Sequence, residues 1–220
     1  EYKDAFSYTG WTEEKILTIL VYGALLHDVA KPDCRTVDEE GIHHFHGHPE
    51  AGAKKAKQIL RRLKFDNDTI SMVGRMILYH DRRYEQCYDK GAYCAKGKRG
   101  MRRLMNQIGE DAMPFLFLLQ KADLLAQSDY TREEKLAKLS AAVKAWKDVL
   151  ASNEAVKVSD LSIGGRDLIR NGIAPGPGLG EILHYLLEQV LEEPALNEPD
   201  KLLSMALKYN QNKKGKNEDE

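Results

Sequence analysis

Apolar residues recur at helical spacing along most of the chain, and the elements follow from that period. Thr12 is placed to cap a first helix, with Glu13 and Glu14 in its first turn and an apolar stripe of Ile16, Leu20, Gly23 and His27. Lys31-Pro32 ends it, because proline disfavours helical geometry in the residue before it. Thr36-Val37 and Ile42-His43 flank an Asp-Glu-Glu-Gly turn, the one plausible hairpin in the pattern. A helix opens at Pro49 and runs to about Leu63, and another starts near Asp68 with Ile70, Val73, Ile77 and His80 on one face. Cys87 to Gly97 reads as loop, followed by a short helix with Met101, Leu104, Met105 and Ile108 inward, closed by Gly109.

The segment Met113 to Gln127 is the most apolar helix, with Leu116, Leu119, Asp123 and Ala126 on its stripe. Thr131-Arg132-Glu133-Glu134 has the form of a capping box before a long helix through Leu139, Val143, Trp146 and Leu150. The character changes at Ala151-Ser152-Asn153. Beyond it come a Gly/Pro-rich elbow, Gly172 to Gly180, and helices near Leu179–Leu191 and Pro199–Tyr209. Asn210 to Glu220 is polar and is expected to be disordered. The fold class is all-α, a helical bundle with a short hairpin and a smaller helical C-terminal segment. The boundaries fall at 1–152, 153–209 and 210–220.

Composition narrows the class. At 220 residues and 42% hydrophobic the chain can build one large core or two small ones. Lys plus Arg is 33 against 34 Asp plus Glu, which excludes a globally basic nucleic-acid binder but not local basic patches. Three cysteines form no paired framework, which points to a reducing, cytoplasmic setting. No apolar run approaches the ~18 residues of a membrane span, so no membrane partner is expected. The chain opens at Glu1-Tyr2-Lys3-Asp4 without an initiator Met.

Polar residues interrupt three apolar stripes: His27 with Asp28, His80 with Asp81, and Asp123. A carboxylate on a core-facing position is costly unless a cation or hydrogen bonds compensate it. Any one of these is explained as a hydrogen-bonded core residue. Together, inward-facing His and Asp from separate helices are what a metal site inside a bundle requires, and imidazole with carboxylate suits a first-row divalent ion better than Mg²⁺ or Ca²⁺. His48, at the start of a helix, adds a further imidazole. His43, His44 and His46 read as solvated loop histidines.

Leu25-Leu26-His27-Asp28-Val29-Ala30-Lys31-Pro32 resembles the signature of the HD superfamily of metal-dependent phosphohydrolases, and Asp123 in Lys121-Ala122-Asp123-Leu124-Leu125 resembles its distant closing Asp. The resemblance implies a divalent metal held by His27, Asp28 and Asp123, with His48 and His80 as extra imidazoles, and a small phosphate ester or cyclic phosphate as substrate. It places Lys31 on the substrate phosphate. Asp81 is expected to orient a neighbouring imidazole. The family pattern begins with a further His on an earlier helix, which nothing before Glu1 supplies. The start of the chain thus looks like the cut edge of a larger enzyme.

A longer series is more specific. Phe45-His46-Gly47-His48-Pro49-Glu50, Leu78-Tyr79-His80-Asp81, Arg102-Arg103-Leu104-Met105 and Ala122 to Ser128 belong to it. So do Gly165-Arg166-Asp167-Leu168-Ile169 and Gly172 to Leu183. In this order they resemble the C-terminal part of bacterial tRNA nucleotidyltransferases (CCA-adding enzymes) that carry an HD domain. The likeness implies an HD-type domain over 1–152 and a tRNA-binding segment over 153–209. Gly164-Gly165-Arg166-Asp167 and Asp66-Asn67-Asp68 echo the turn and paired Asp of a nucleotide-adding head, but in the wrong order and in a helical context. They read as loop and helix cap, so this chain is not expected to add nucleotides by itself.

Lys90, Lys96, Lys98, Arg99, Arg102 and Arg103 concentrate positive charge in one segment, and Lys54, Lys55, Lys57, Arg61, Arg62 and Lys64 in another. Such runs are ordinarily solvated faces, and equally serve as a phosphate-contacting stripe. With the resemblance, Lys98, Arg99, Arg102, Arg103, Arg166, Gly176 and Gly178 are the expected RNA contacts, the glycines by exposing backbone N–H groups at a helix start. At 8% aromatic, recognition would be of shape and backbone. Two other classes stay open: a catalytically silent tRNA-binding scaffold, and a free-standing HD nucleotide phosphohydrolase. Cys34, Cys87 and Cys94 lie beside no identifiable base and carry no chemistry.

Overall fold

The structure, a computed structural model, describes residue 6 and residues 10–89, 92–94 and 97–218. Among the described residues it is all-α apart from two two-stranded hairpins. It divides into two compact units, Glu1–Cys94 with Gln107–Lys144, and Ala95–Asn106 with Ala145–Glu220. The second unit therefore takes in a stretch before position 107, where the sequence pattern draws a single boundary at 152.

In the first unit, α1 (Glu13–Leu26) starts at Thr12, whose hydroxyl accepts the Lys15 N–H at 3.2 Å, and buries Ile19, Gly23 and Leu26. It ends at Leu26, earlier than the Lys31-Pro32 stop. From His27 to Cys34 the chain is turns, with Val29 N–H donating to the Leu26 carbonyl, Lys31 to Asp28 and Asp33 to Ala30. These i−3 bonds tighten the backbone beyond α-geometry before Pro32 is reached.

The expected hairpin forms as β1 (Thr36–Val37) and β2 (His43–His44), with Thr36 opposite His44. Helix α2 (His48–Arg62) follows Gly47, whose φ of 77° is left-handed and favours glycine. Helix α3 (Asn67–Tyr79) is capped by Asp66, which accepts the Thr69 N–H at 3.1 Å. It packs against both α1 and α2, and so buries residues on nearly every side: Thr69, Ile70, Met72, Val73, Gly74, Met76 and Ile77. At Gly52 of α2 an added Cβ would stand 3.2 Å from Ile77, so glycine sets the close approach of α2 to α3.

A second hairpin, β3 (Tyr88–Asp89) with β4 (Ala92–Tyr93), occupies the segment the sequence pattern gives as loop. Its strands are too short for alternation to register as a period. Next come α4 (Gly97–Ile108) and α5 (Met113–Ala126), the latter burying Phe115, Leu116, Phe117 and Leu119. Arg75 of α3 makes paired contacts of 2.6 and 2.8 Å to the Asp111 carboxylate just before α5. Helix α6 (Arg132–Ala151) is preceded by Thr131 at a left-handed φ of 57°, where its carbonyl accepts the Lys135 N–H.

The second unit has its own core. Helices α7 (Gly165–Arg170), α8 (Pro177–Glu192) and α9 (Pro199–Glu218) gather Leu168, Ile182, Leu186, Val190, Leu202 and Ala206 into one buried cluster. The Asp167 carboxylate accepts the Gly164 N–H at 2.9 Å, so the Gly-Gly-Arg-Asp run is a helix start. Helix α9 continues to Glu218, where the sequence pattern gives a disordered tail from Asn210. Helix-forming residues such as Gln211 and Lys213 carry it on, and Lys213 pairs with Glu181 of α8.

Candidate metal centre

Five side chains from four segments of the first unit meet at one point. His27 is the C-cap of α1, Asp28 follows it, His48 opens α2, His80 is the C-cap of α3 and Asp123 lies in the last turn of α5. His27 Nε2 is 3.2 Å from Asp28 Oδ2 and 3.5 Å from Asp123 Oδ1. Asp28 Oδ1 is 3.6 Å from His48 Nε2 and 3.5 Å from His80 Nε2, which stand 3.2 Å from each other. One ligand atom each from Asp28, His48 and His80 falls within 4.8 Å of the others, the spacing of groups that share one ion.

The three rings are oriented in the same way. Nδ1 of His27 lies 2.8 Å from the Ala24 carbonyl, Nδ1 of His48 2.8 Å from that of Phe45, and Nδ1 of His80 2.7 Å from that of Ile77. A carbonyl oxygen only accepts, so each Nδ1 carries a proton, and in the neutral form of each ring the Nε2 lone pair faces inward. Burial pushes the His80 pKa down, and the neighbouring His27 and His48 add to that against the opposing Ile77 carbonyl and Asp28. Burial pushes the Asp28 carboxyl up, but the Lys31 ammonium, bonded at 2.7 Å, and the adjoining His27 and His80 outweigh it and hold Asp28 below the ordinary carboxylate range.

This arrangement fits a divalent cation. His27 Nε2 and Asp28 Oδ1 are buried and without a hydrogen-bond partner, and the Nε2 atoms of His48 and His80 face each other across 3.2 Å. A positive ion satisfies all of these at once. The carbonyl anchors are the outer contacts that fix tautomer and ring direction in metal-binding histidines. The mixed imidazole and carboxylate donors suit a first-row ion.

Asp81 and Lys31 differ in how they stand to this group. Asp81 is exposed and makes no hydrogen bond to an imidazole among the described residues, because backbone carbonyls already hold all three Nδ1 atoms. Lys31 bonds the Asp28 carboxylate at 2.7 Å with 40% of its side chain exposed, and its ammonium lies 5.8 Å from the Phe45 ring centre. His43 and His44, expected in a loop, form strand β2, where Arg35 and Asp38 engage their rings.

Sequence reasoning misses Gln120, one turn before Asp123. It is buried, accepts from the Tyr84 hydroxyl at 2.8 Å, and donates to the His80 and Arg82 carbonyls at 2.9 and 3.1 Å. It thus ties the segment carrying His80 to the helix carrying Asp123. Its signal in the sequence is an amide among Phe117, Leu118 and Leu119 on the most apolar helix.

The basic residues of α4 lie in the second unit and are internally paired. Arg102 is 5% exposed, bonded to Glu154 at 2.6 Å and to the Leu191 and Glu192 carbonyls, so it is a buried structural residue and not an RNA contact. Lys98 faces Ser152 and Glu154, Arg99 pairs with Glu192, and Arg103 pairs with Glu188 and Glu192. Lys90 and Lys96 lie outside the described residues. Arg166 in α7 is exposed with no side-chain partner among the described residues. Gly176 precedes α8 with φ 147°, and open space surrounds Gly178 where a Cβ would stand. No helix among the described residues is long and apolar enough to cross a membrane.

Comparison with known proteins supports the tRNA nucleotidyltransferase part of the resemblance. The CC-adding tRNA nucleotidyltransferase of Thermus thermophilus is 31% identical over 176 residues, covering 77% of this chain and 35% of that protein. The A-adding tRNA nucleotidyltransferase of Deinococcus radiodurans is 27% identical over 172 residues, 77% of this chain and 37% of that protein. The chain therefore spans about a third of the length of the curated relatives it matches. No solved structure matches. The family described as tRNA nucleotidyltransferase domain 2, putative, matches residues 39–206, most of the chain, and the chain belongs to that family.

Proposed function

We propose that this chain is the body of a CCA-adding type of tRNA nucleotidyltransferase, and that His27, Asp28, His48, His80 and Asp123 form an HD-type phosphohydrolase site. The substrate class is a small phosphate ester or cyclic phosphate. The observation that carries the reading is the convergence of three Nε2 lone pairs and two carboxylates, each ring locked on a backbone carbonyl.

In this reading the five residues hold a divalent ion. When bound, such an ion lowers the pKa of water and offsets charge on phosphoryl oxygens. The chain's own part is to prepare the place: the carbonyls of Ala24, Phe45 and Ile77 fix ring direction, Lys31 keeps Asp28 ionised, and Gln127 Nε2 holds Asp123 Oδ2 at 2.7 Å. Preset donors need no reorganisation when substrate arrives. In the second unit, Arg166 and the N-terminus of α8 at Gly176 and Gly178 are offered to a tRNA phosphate. Their support is the exposed, unpaired guanidinium and the absence of any side chain over the glycines among the described residues.

The test is metal content and hydrolysis together. Protein loaded with Mn²⁺ or Ni²⁺ and freed of excess is expected to retain the ion and to cleave 2′,3′-cyclic AMP, and His27→Ala to lose both. No retained metal, or unchanged cleavage in His27→Ala, overturns the hydrolase reading. For RNA, a tRNA gel shift that weakens with salt and in Arg166→Ser is expected. No shift at low salt overturns that part.

A further inference from the structure

Beside the metal centre, within the first unit, a pocket of about 340 Å³ has His80 and Asp123 in one part of its lining. Beside the carboxylates of Asp81, Glu85 and Glu134, its lining includes four cations, Arg82, Arg83, Lys135 and Lys138. Two of these are engaged: Lys138 by Glu85 and Glu134 at 2.9 Å each, and Arg82 by Gln107 at 3.2 Å. Arg83 and Lys135 are exposed, and neither side chain has a hydrogen-bond or ion-pair partner among the described residues. Leu124 and Leu139 add apolar surface to the same lining. The volume lies at the small end of the ~300–1,000 Å³ of small-molecule sites.

Where the centre holds its ion, the pocket joins a cation to the unpaired Arg83 and Lys135 across partly apolar walls, and so fits an occupant with anionic groups and a flat or apolar body. We propose that this pocket is the substrate subsite of the centre. It takes a nucleoside-sized phosphate ester with its reacting phosphoryl group at the His80 and Asp123 end and a second anionic group on Arg83 and Lys135. The inference rests on the hydrolase reading for what happens at the His80 end. The binding of the second anion by Arg83 and Lys135 does not require it. Thr131, in the same lining, is held at a left-handed φ of 57°, a conformation that a β-branched residue rarely adopts. Strained backbone of this kind concentrates at ligand sites.

The probe is adenosine 3′,5′-bisphosphate, titrated calorimetrically into the whole chain, first with chelator and then with Mn²⁺. Arg83→Ser and Lys135→Ser are each expected to weaken binding about tenfold in both conditions, the worth of one charge-assisted contact. Both variants are expected to keep the wild-type Mn²⁺ stoichiometry and melting temperature. His27→Ala is expected to lose the ion and still bind the bisphosphate with the same dependence on Arg83 and Lys135. Wild-type affinity in both cation variants overturns the subsite, whether or not hydrolysis is found. Weakened binding with no hydrolysis in any form of the protein keeps the subsite and removes the hydrolase reading. A protein that binds tRNA through Arg83 and Lys135 but not the bisphosphate also overturns the proposal, because the pocket would then serve a polymer.

Discussion

His48 and His80, 32 positions apart, bring their Nε2 atoms to 3.2 Å while each ring donates its Nδ1 proton to a carbonyl three residues earlier. Two neutral imidazoles in that pose repel, and an ion shared between them removes the repulsion. Divalent metal is accordingly expected to stabilise the fold. At an ion concentration of 100 times Kd the gain is about 2.7 kcal/mol, read as a rise in Tm. His80→Ala should abolish the rise. An equal rise in that variant would place the ion elsewhere.

Gln120 has no contact with the proposed ion, yet it holds the His80 main chain against α5. Gln120→Leu is expected to cost about 1–3 kcal/mol by leaving the His80 and Arg82 carbonyls and the Tyr84 hydroxyl unmet. Metal affinity should fall by about 10- to 100-fold, as with other outer contacts of metal sites. Denaturant titration measures the first and metal competition the second. A loss of stability with unchanged metal affinity would make Gln120 structural only.

Arg102 and Arg166 separate burial from charge. Arg102→Met leaves Glu154, at a largely buried position, with only the longer 3.5 Å contact to Lys98, and a broken buried pair costs about 3–5 kcal/mol. Arg166→Ser, exposed and unpaired, is expected to change stability by less than about 0.5 kcal/mol. Urea unfolding of both variants gives the comparison. Similar values would contradict the assignment of Arg102 to the fold.

Asp66 sets an acid limb. The Thr69 hydroxyl, the Lys15 ammonium and the Thr69 N–H hold its pKa far below the ordinary value against a smaller effect of burial. A carboxyl depressed in the folded state stabilises fully above its unfolded pKa of about 3.9, and that share is lost as pH falls towards the folded value. Asp66→Asn keeps a capping oxygen and removes the charge. Its Tm should therefore fall less steeply than wild type as pH drops below about 4. Parallel acid limbs would show that Asp66 does not titrate as described.

The sequence pattern carries much of the centre. His27, His80 and Asp123 are polar residues on otherwise apolar stripes, and burial of a charge is expensive enough to make that legible. His48 comes from motif order, and its role needs Gly47 to turn the chain into α2. Arg102 is misread from sequence because a run of cations looks the same whether its partner is water or a distant Glu154. The charge pattern is local and the ion pair spans 52 positions. The end of α1 falls earlier than the pattern places it for a similar reason: the apolar period passes through His27 unbroken, and only the i−3 bonds reveal the turn. Gln120 shows in the sequence only as an amide on the most apolar helix, because two of its three partners are main-chain carbonyls, which no side-chain pattern encodes.

Each histidine anchor is a bond within one helix end, from a ring to a carbonyl three residues back. Ring direction is thus decided locally, as soon as each helix end forms, whereas the distances between rings depend on how α1, α2, α3 and α5 pack. Aim and span are set by separate parts of the molecule. A change that spreads α2 from α3, such as enlarging the side chain at Gly52, would leave every imidazole pointing inward and widen the gap they point across. The outcome would be a shift in preferred ionic radius, with the donor set intact.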